Sequence, residues 1–292
     1  MTQSWRQSRG PFAATFAPPA LWLGLFFVIP LGVIWAYSFG HTVGMTSISV
    51  NGTLDNYTHA FQAIYIKILL KSLGIAALTT LICLIVGFPV ALMLTFASSK
   101  AKVWLLLAIM LPFWTNLLIR TYALMAVLRT KGFLNTSLEA LWSAFGGHFT
   151  PLPMMHNTFA VILGLVYVNL PFLVLPLYAA LDRLDRSLLE ASLDLGAGHV
   201  RTIFQIVVPL AAPGIASGVL ITFIPALGSY LTPDLMGGAD NQMIANVIER
   251  QFKRANDWPF GATLSFLLMY LTLISMAAQG WLAKRGGAAA HG

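Results

Sequence analysis

The chain has 292 residues, of which 58% are hydrophobic and 9% charged, too little polar surface to cover a water-soluble globule of that length, so lipid must solvate it. Its net charge of +7 is scattered over loops with no aromatic-interleaved basic patch, which argues against a nucleic-acid partner. A single cysteine, Cys83, leaves no internal disulfide or cysteine metal cluster and reads as a small apolar packing residue.

Crossing a bilayer takes roughly 20 apolar residues, and six runs qualify: 20–39, 72–96, 103–128, 158–181, 206–227 and 260–283. The expected fold is an all-α polytopic membrane protein with six transmembrane helices. Arg6 and Arg9 precede the first run, but the small residues Ala13, Ala14 and Ala17 come before its apolar core, so the run is an anchor rather than a cleaved signal. Six spans put both termini on one side. With that side cytoplasmic, nine Lys/Arg lie inside and eight elsewhere, and the density of Lys100 and Lys102 in a six-residue connector supports the orientation. The domain reading is therefore a cytoplasmic segment 1–19, a six-helix transmembrane domain 20–283 and a cytoplasmic tail 284–292.

The connections between spans carry their own signals. Thr136 and Glu139 form a capping-box pattern, with Leu138, Leu141, Trp142 and Phe145 at helical spacing behind it, which predicts an amphipathic helix on the membrane surface. In the 182–205 loop, Ser187 and Glu190 form a second capping box and open a short helix through Leu188, Leu189, Ala191, Ser192 and Leu195. Gly196 closes it in the left-handed conformation, and a second helical piece starts near His199. After the fifth span, Thr232-Pro233-Asp234 and Gly237-Gly238 predict turns; Met243, Ile244, Val247 and Ile248, with a Glu249–Lys253 i,i+4 pair, predict a helix.

No Gly-rich loop ends in Gly-Lys-Ser/Thr, so ATP hydrolysis, if any, belongs to another chain. The six histidines, His41, His59, His148, His156, His199 and His291, lack metal-ligand spacing. All ten Asp/Glu map to loops or span ends, which counts against a proton- or sodium-coupled carrier. No catalytic constellation, metal or cofactor is expected. The spans are rich in proline: Pro30, Pro89, Pro112, Pro171, Pro176, Pro209, Pro213 and Pro225 mean either hinged helices around a path or the ordinary proline content of membrane helices. Ala212, Gly214 and Gly218 suit a subunit interface or internal packing equally.

Trp114, Asn116, Arg120 and Tyr122 are the polar and aromatic content of the third span. They read either as residues beside a path or a partner subunit, or as packed aromatics with a snorkelling arginine. Tyr230, past the outer end of the fifth span, is a gate and substrate-contact candidate, since an aromatic face attracts ammonium groups; the alternative is an interfacial belt tyrosine.

Glu190, Ala191 and Ser192, then Gly196, Ile206 and Pro209, resemble the EAA coupling loop of ABC importer permeases, in spacing throughout and in all but two residue types, Ser192 for Ala and Val208 for Leu. The runs Leu111-Pro112-Phe113-Trp114-Thr115-Asn116, Arg120-Thr121-Tyr122, Asn169-Leu170-Pro171-Phe172 and Asp257-Trp258-Pro259-Phe260-Gly261-Ala262 look like the first permease subunit of the spermidine/putrescine group. The resemblance implies a type I importer permease in the bacterial inner membrane. Its implied partners are two copies of an ATP-binding ABC subunit, a second homologous permease, an external substrate-binding protein and membrane lipid. The role implied is a polyamine path whose EAA loop couples to the ATPase, with Trp114, Asn116 and Tyr230 as path or gate candidates. An opine, amino-acid derivative or other small organic cation is the alternative solute. A stand-alone carrier or channel, and more remotely a membrane enzyme, are alternatives of other classes.

Overall fold

The computed structural model describes residues 9–44 and 47–289; Arg6 and His291 lie outside them. Among the described residues, five helices are long and apolar enough to cross a membrane: Phe12–Tyr37, Ala63–Phe96, Thr158–Leu181, His199–Leu227 and Trp258–Ala277, the last being part of a helix that continues to Ala289. The remaining expected span, the third at 103–128, is not one straight helix. Ser99–Trp114 and Leu117–Ala144 meet at a 98° bend, because Pro112 lacks an N–H and the chain tightens into a 3-10 turn over Leu111–Trp114. Thr115 and Asn116 then leave helical geometry altogether. The 158–181 span has the expected bounds, whereas the 63–96 helix starts well before residue 72.

Two π-helical turns interrupt otherwise continuous spans, Gly24–Val28 and Ile203–Val207. Each stands just ahead of a proline, Pro30 or Pro209, whose ring would clash with the carbonyl four residues earlier, and the wider turn relieves that clash.

The chain forms two compact units. The first comprises residues up to Ala63 with Ile248–Leu271. The end of its first helix is fastened to the start of its last by polar contacts around Ser38, which is fully buried. The Thr263 hydroxyl donates to the Ser38 carbonyl at 3.0 Å, Asn56 Nδ2 donates to the same carbonyl at 3.2 Å, and the Ser38 and Tyr57 hydroxyls pair at 2.9 Å. Two elements here carry no periodic signal and were not expected: an antiparallel strand pair, Gly40–Val43 with Ser47–Val50, and a helix Asp55–Ala60.

The second unit, residues Ile64–Val247 with Thr272 onward, has its core where the 63–96, 158–181 and 208–227 helices meet, around Cys83, Leu173, Val174, Leu177 and Ala211. Gly214 and Gly218, four apart on one face, lie against Ala180 and the Leu173 carbonyl, and Gly87 leaves no room for a Cβ beside Leu173. Small residues thus serve internal packing at these positions, while Ala212 is exposed. The buried hydroxyls of Thr80 and Thr95 are satisfied within their own helix, donating to the Ala76 and Ala91 carbonyls, whereas those of Thr79 and Thr222 are buried without a hydrogen-bond partner among the described residues.

Both capping boxes are displaced. Gly132, not Thr136, occupies the N-cap of the Phe133–Ala144 helix, and the Thr136 hydroxyl donates back to the Gly132 carbonyl at 2.9 Å. Residues 231–236, expected as turn, form a short helix, Leu231–Met236, because proline near a helix start removes only an N–H that has no partner there. The predicted helix after it runs Ile244–Lys253 and keeps the Glu249–Lys253 pair at 3.1 Å.

Candidate coupling loop and pathway residues

The loop helix runs Arg186–Asp194. Its N-cap is Asp185 rather than Ser187: the carboxylate accepts the Ser187 N–H at 2.9 Å, since aspartate caps as well as serine and stands where the chain is still extended. That bond holds the Asp185 carboxyl below its ordinary pKa. Three residues earlier, the ammonium of Lys102 lies 2.8 Å from Asp182 and lowers that carboxyl as well. The Arg186 guanidinium reaches back to the Thr95 carbonyl at 3.3 Å, over the Phe96 ring, and so ties the loop helix to the end of the 63–96 span.

Gly196 ends the helix at φ +85°. The N–H of Ala197 bonds the Ser192 carbonyl and that of Gly196 bonds the Leu193 carbonyl, the paired closure of a Schellman motif. A short helix, His199–Thr202, follows, capped by Gly198, and passes through the π turn into the fifth span. Ser192 and Thr202, both buried, join hydroxyls at 3.0 Å across the glycine turn. The position where the EAA pattern has alanine thus carries a polar tie between the two helices of the loop. Ile206 is half-buried and Pro209 stands at the start of the Val208–Leu227 helix.

What the loop turns outward is mixed. Glu190 and Ala191 are exposed beside Leu195 and Val200, and a groove of about 410 Å³ opens between Met93, Phe96, Leu189, Leu193 and Ile203. A rigid polar-framed helix bordered by uncovered large apolar side chains is the composition of a protein-binding face.

The pathway candidates are brought less closely together. Trp114 lies in the 3-10 turn at the bend and is 76% exposed. Asn116 is the N-cap of Leu117–Leu128, its side-chain oxygen accepting the Leu118 N–H at 2.8 Å; the local role is structural. Tyr230 occupies the N-cap position of Leu231–Met236, with its ring 43% exposed and its carbonyl accepting from Asn246 Nδ2 at 2.7 Å. The 231–236 helix packs against 117–128, so the two candidate segments adjoin.

Several positioning residues carried no recognisable sequence signal. Lys71 donates to the Asp240 carbonyl at 2.6 Å and to Asn241 Oδ1 at 2.9 Å, Thr158 donates to the same amide oxygen, and the Ser72 hydroxyl accepts the Ile244 N–H. Asn135, buried, holds residues 129 and 152 together. Asparagine amides of this kind are common in loops, and only the fold shows which are enclosed.

The family profile described as binding-protein-dependent transport system inner membrane component matches residues 8–286. The chain is 43% identical over 264 residues to the spermidine/putrescine transport system permease protein PotB of Escherichia coli, covering 90% of this chain and 94% of that one. The protein of the same name in Haemophilus influenzae is 40% identical over 250 residues, 86% of each chain. Among solved structures, a bacterial ABC transporter involved in the import of the acidic polysaccharide alginate superposes with a TM-score of 0.74 at 16% identity, over 94% of this chain and 95% of that one, a likeness of fold alone. The helical membrane fold, the bent span and the profile spanning nearly the whole chain together place this protein in the family of binding-protein-dependent transport system inner membrane components.

Proposed function

We propose that the chain is the transmembrane permease subunit of an ATP-driven importer of polyamines, spermidine or putrescine, forming the path together with a second permease. An external binding protein delivers the solute, and two copies of a separate ATP-binding subunit hydrolyse ATP. The observation that carries this reading is the 43% identity to a spermidine/putrescine permease over nine-tenths of both chains. The chain itself does no covalent chemistry: it couples and conducts.

In this reading the 182–205 loop is cytoplasmic, with both termini, and the 20–283 region is the permease domain. Closure of the ATPase pair moves the Arg186–Asp194 helix as a unit, because Arg186, the Ser192–Thr202 tie and the Gly196 turn transmit displacement to the 63–96 and 208–227 helices. Glu190, Ala191, Ser192 and Gly196 form the docking element, and Ile206 and Pro209 its continuation into the membrane. Trp114, Asn116 and Tyr230 border the path. A cysteine placed at His199 that reacts with an impermeant reagent in intact cells would overturn the orientation.

The function is tested on the whole complex reconstituted in vesicles. Spermidine or putrescine, presented with the cognate binding protein, stimulates ATP hydrolysis and accumulates inside. Stimulation only by a chemically unrelated solute would refute the polyamine assignment and leave the importer standing.

A further inference from the structure

Arg120 stands in a segment read as membrane-embedded, is 9% exposed, and has no acceptor for its Nε. Neither of the ion pairs Lys102–Asp182 and Lys253–Glu249 involves it. Its recorded contact is the Phe113 ring, 5.7 Å from the guanidinium carbon, and a cation–π contact does not replace an anion for a charge removed from water. Its place in the fold worsens the imbalance. Arg120 lies in the first turn after the Asn116 cap, where the helix dipole is positive and favours anions over cations. This corner of the chain is therefore doubly positive and sheltered, and no carboxylate among the described residues reaches it.

We propose that Arg120 receives a carboxylate from the second permease, and that this ion pair is a central contact between the two subunits; the inference rests on the two-permease reading above. Asn116 and Ala123, four residues before and three after on the same helix face, are both exposed, so an incoming side chain approaches the guanidinium past small or polar neighbours. The stretch around it exposes Trp114, Ile119 and Tyr122. A recessed arginine among uncovered aromatics has the composition of an interface centre. A lipid phosphate fits less well: an arginine serving a headgroup extends its long side chain to the interface, whereas this one lies back toward Phe113 with its Nε closed off. Pairing also suits a cationic solute, since neutralising Arg120 removes a repulsive charge from beside the path.

The test uses the whole complex, purified through a tag on this subunit. In Arg120→Met, the second permease recovered per tagged subunit falls about tenfold or more, because the partner's carboxylate is left buried and unpaired, and Arg120→Lys gives a smaller loss. A variant that fails to accumulate is bypassed by a suppressor selection: in Arg120→Glu, transport returns through an acidic-to-basic change in the second permease. A full complement of second permease with Arg120→Met overturns the proposal. So do Arg120→Glu suppressors confined to this chain, and a loss of bound phospholipid from an otherwise intact complex. A wild-type complex that contains no second permease would instead refute the function proposed above, and indifference of the complex to polyamines would refute only its solute.

Discussion

The 182–205 loop, for which we propose a coupling role, and the bent third span are built on opposite plans. Between Asp185 and Thr202 the polar framework closes on itself: Asp185 caps, Arg186 anchors, Ser192 bonds Thr202, and Gly196 satisfies the helix end. Between Leu111 and Arg120 the framework is open. Asn116 caps a helix, but Trp114 is bare and, among the described residues, no carboxylate pairs with Arg120. The contrast fits the roles proposed for them: a lever keeps its shape while being pushed, so its polar groups are satisfied internally, and a surface completed by another chain leaves its strongest group for that chain to satisfy.

The sharpest way to break this contrast is Gly196→Asp. A Cβ at Gly196 meets nothing within 4 Å, and aspartate tolerates the left-handed region better than most residues, so the harm comes mainly from the new charge on the proposed docking face, with backbone strain at φ +85° adding to it. The subunit still inserts, while solute-stimulated ATP hydrolysis and transport by the reconstituted complex collapse. Gly196→Asn, which tolerates the left-handed region as aspartate does but carries no charge, retains much more activity. Normal transport by the Asp variant would remove this loop from the coupling role.

On the open side, Tyr230→Ala reduces polyamine uptake severalfold, in keeping with an aromatic–ammonium contact of about 0.5–2 kcal/mol, and Tyr230→Phe is milder because the ring face remains. The Asn246 bond goes to the Tyr230 carbonyl, so both variants retain it. Equal losses in the two would shift the role to the hydroxyl; no loss in either would make this a belt tyrosine.

The smallest effect concerns the cap. Asp185 has its pKa lowered by the Ser187 N–H, so its stabilising contribution is complete above the ordinary carboxylate value of about 3.9 and disappears as pH falls through the lowered value. Asp185→Asn keeps an oxygen acceptor and lacks that titration. Limited proteolysis of the loop in the purified complex should show a slight increase in wild-type cleavage below pH 4 that is absent from Asp185→Asn; an identical acid response in both would detach the cap from the effect.

The membrane class and most spans were legible in the chain itself because hydrocarbon imposes a length and polarity rule on contiguous residues. The glycine at residue 196 marks a helix end for a reason equally local. Other features depend on residues far apart in sequence or on small local competitions. Asp185, not Ser187, caps the loop helix, since both residue types cap well and a shift of two residues in the helix start separates the outcomes. The break after Pro112 turned one apolar run into two helices at 98°, although hydropathy does not distinguish a straight helix from a bent one. The strand pair at 40–50 had no period strong enough to announce it. The path candidates depended most on the fold: composition alone marked Trp114, Asn116, Arg120 and Tyr230 as unusual, whereas burial and bonding separated them into an exposed ring, a helix cap, an unpaired cation and a second exposed ring. Local pattern determines what solvates a segment and where a helix can stop. Which polar groups find partners is decided only when distant helices meet.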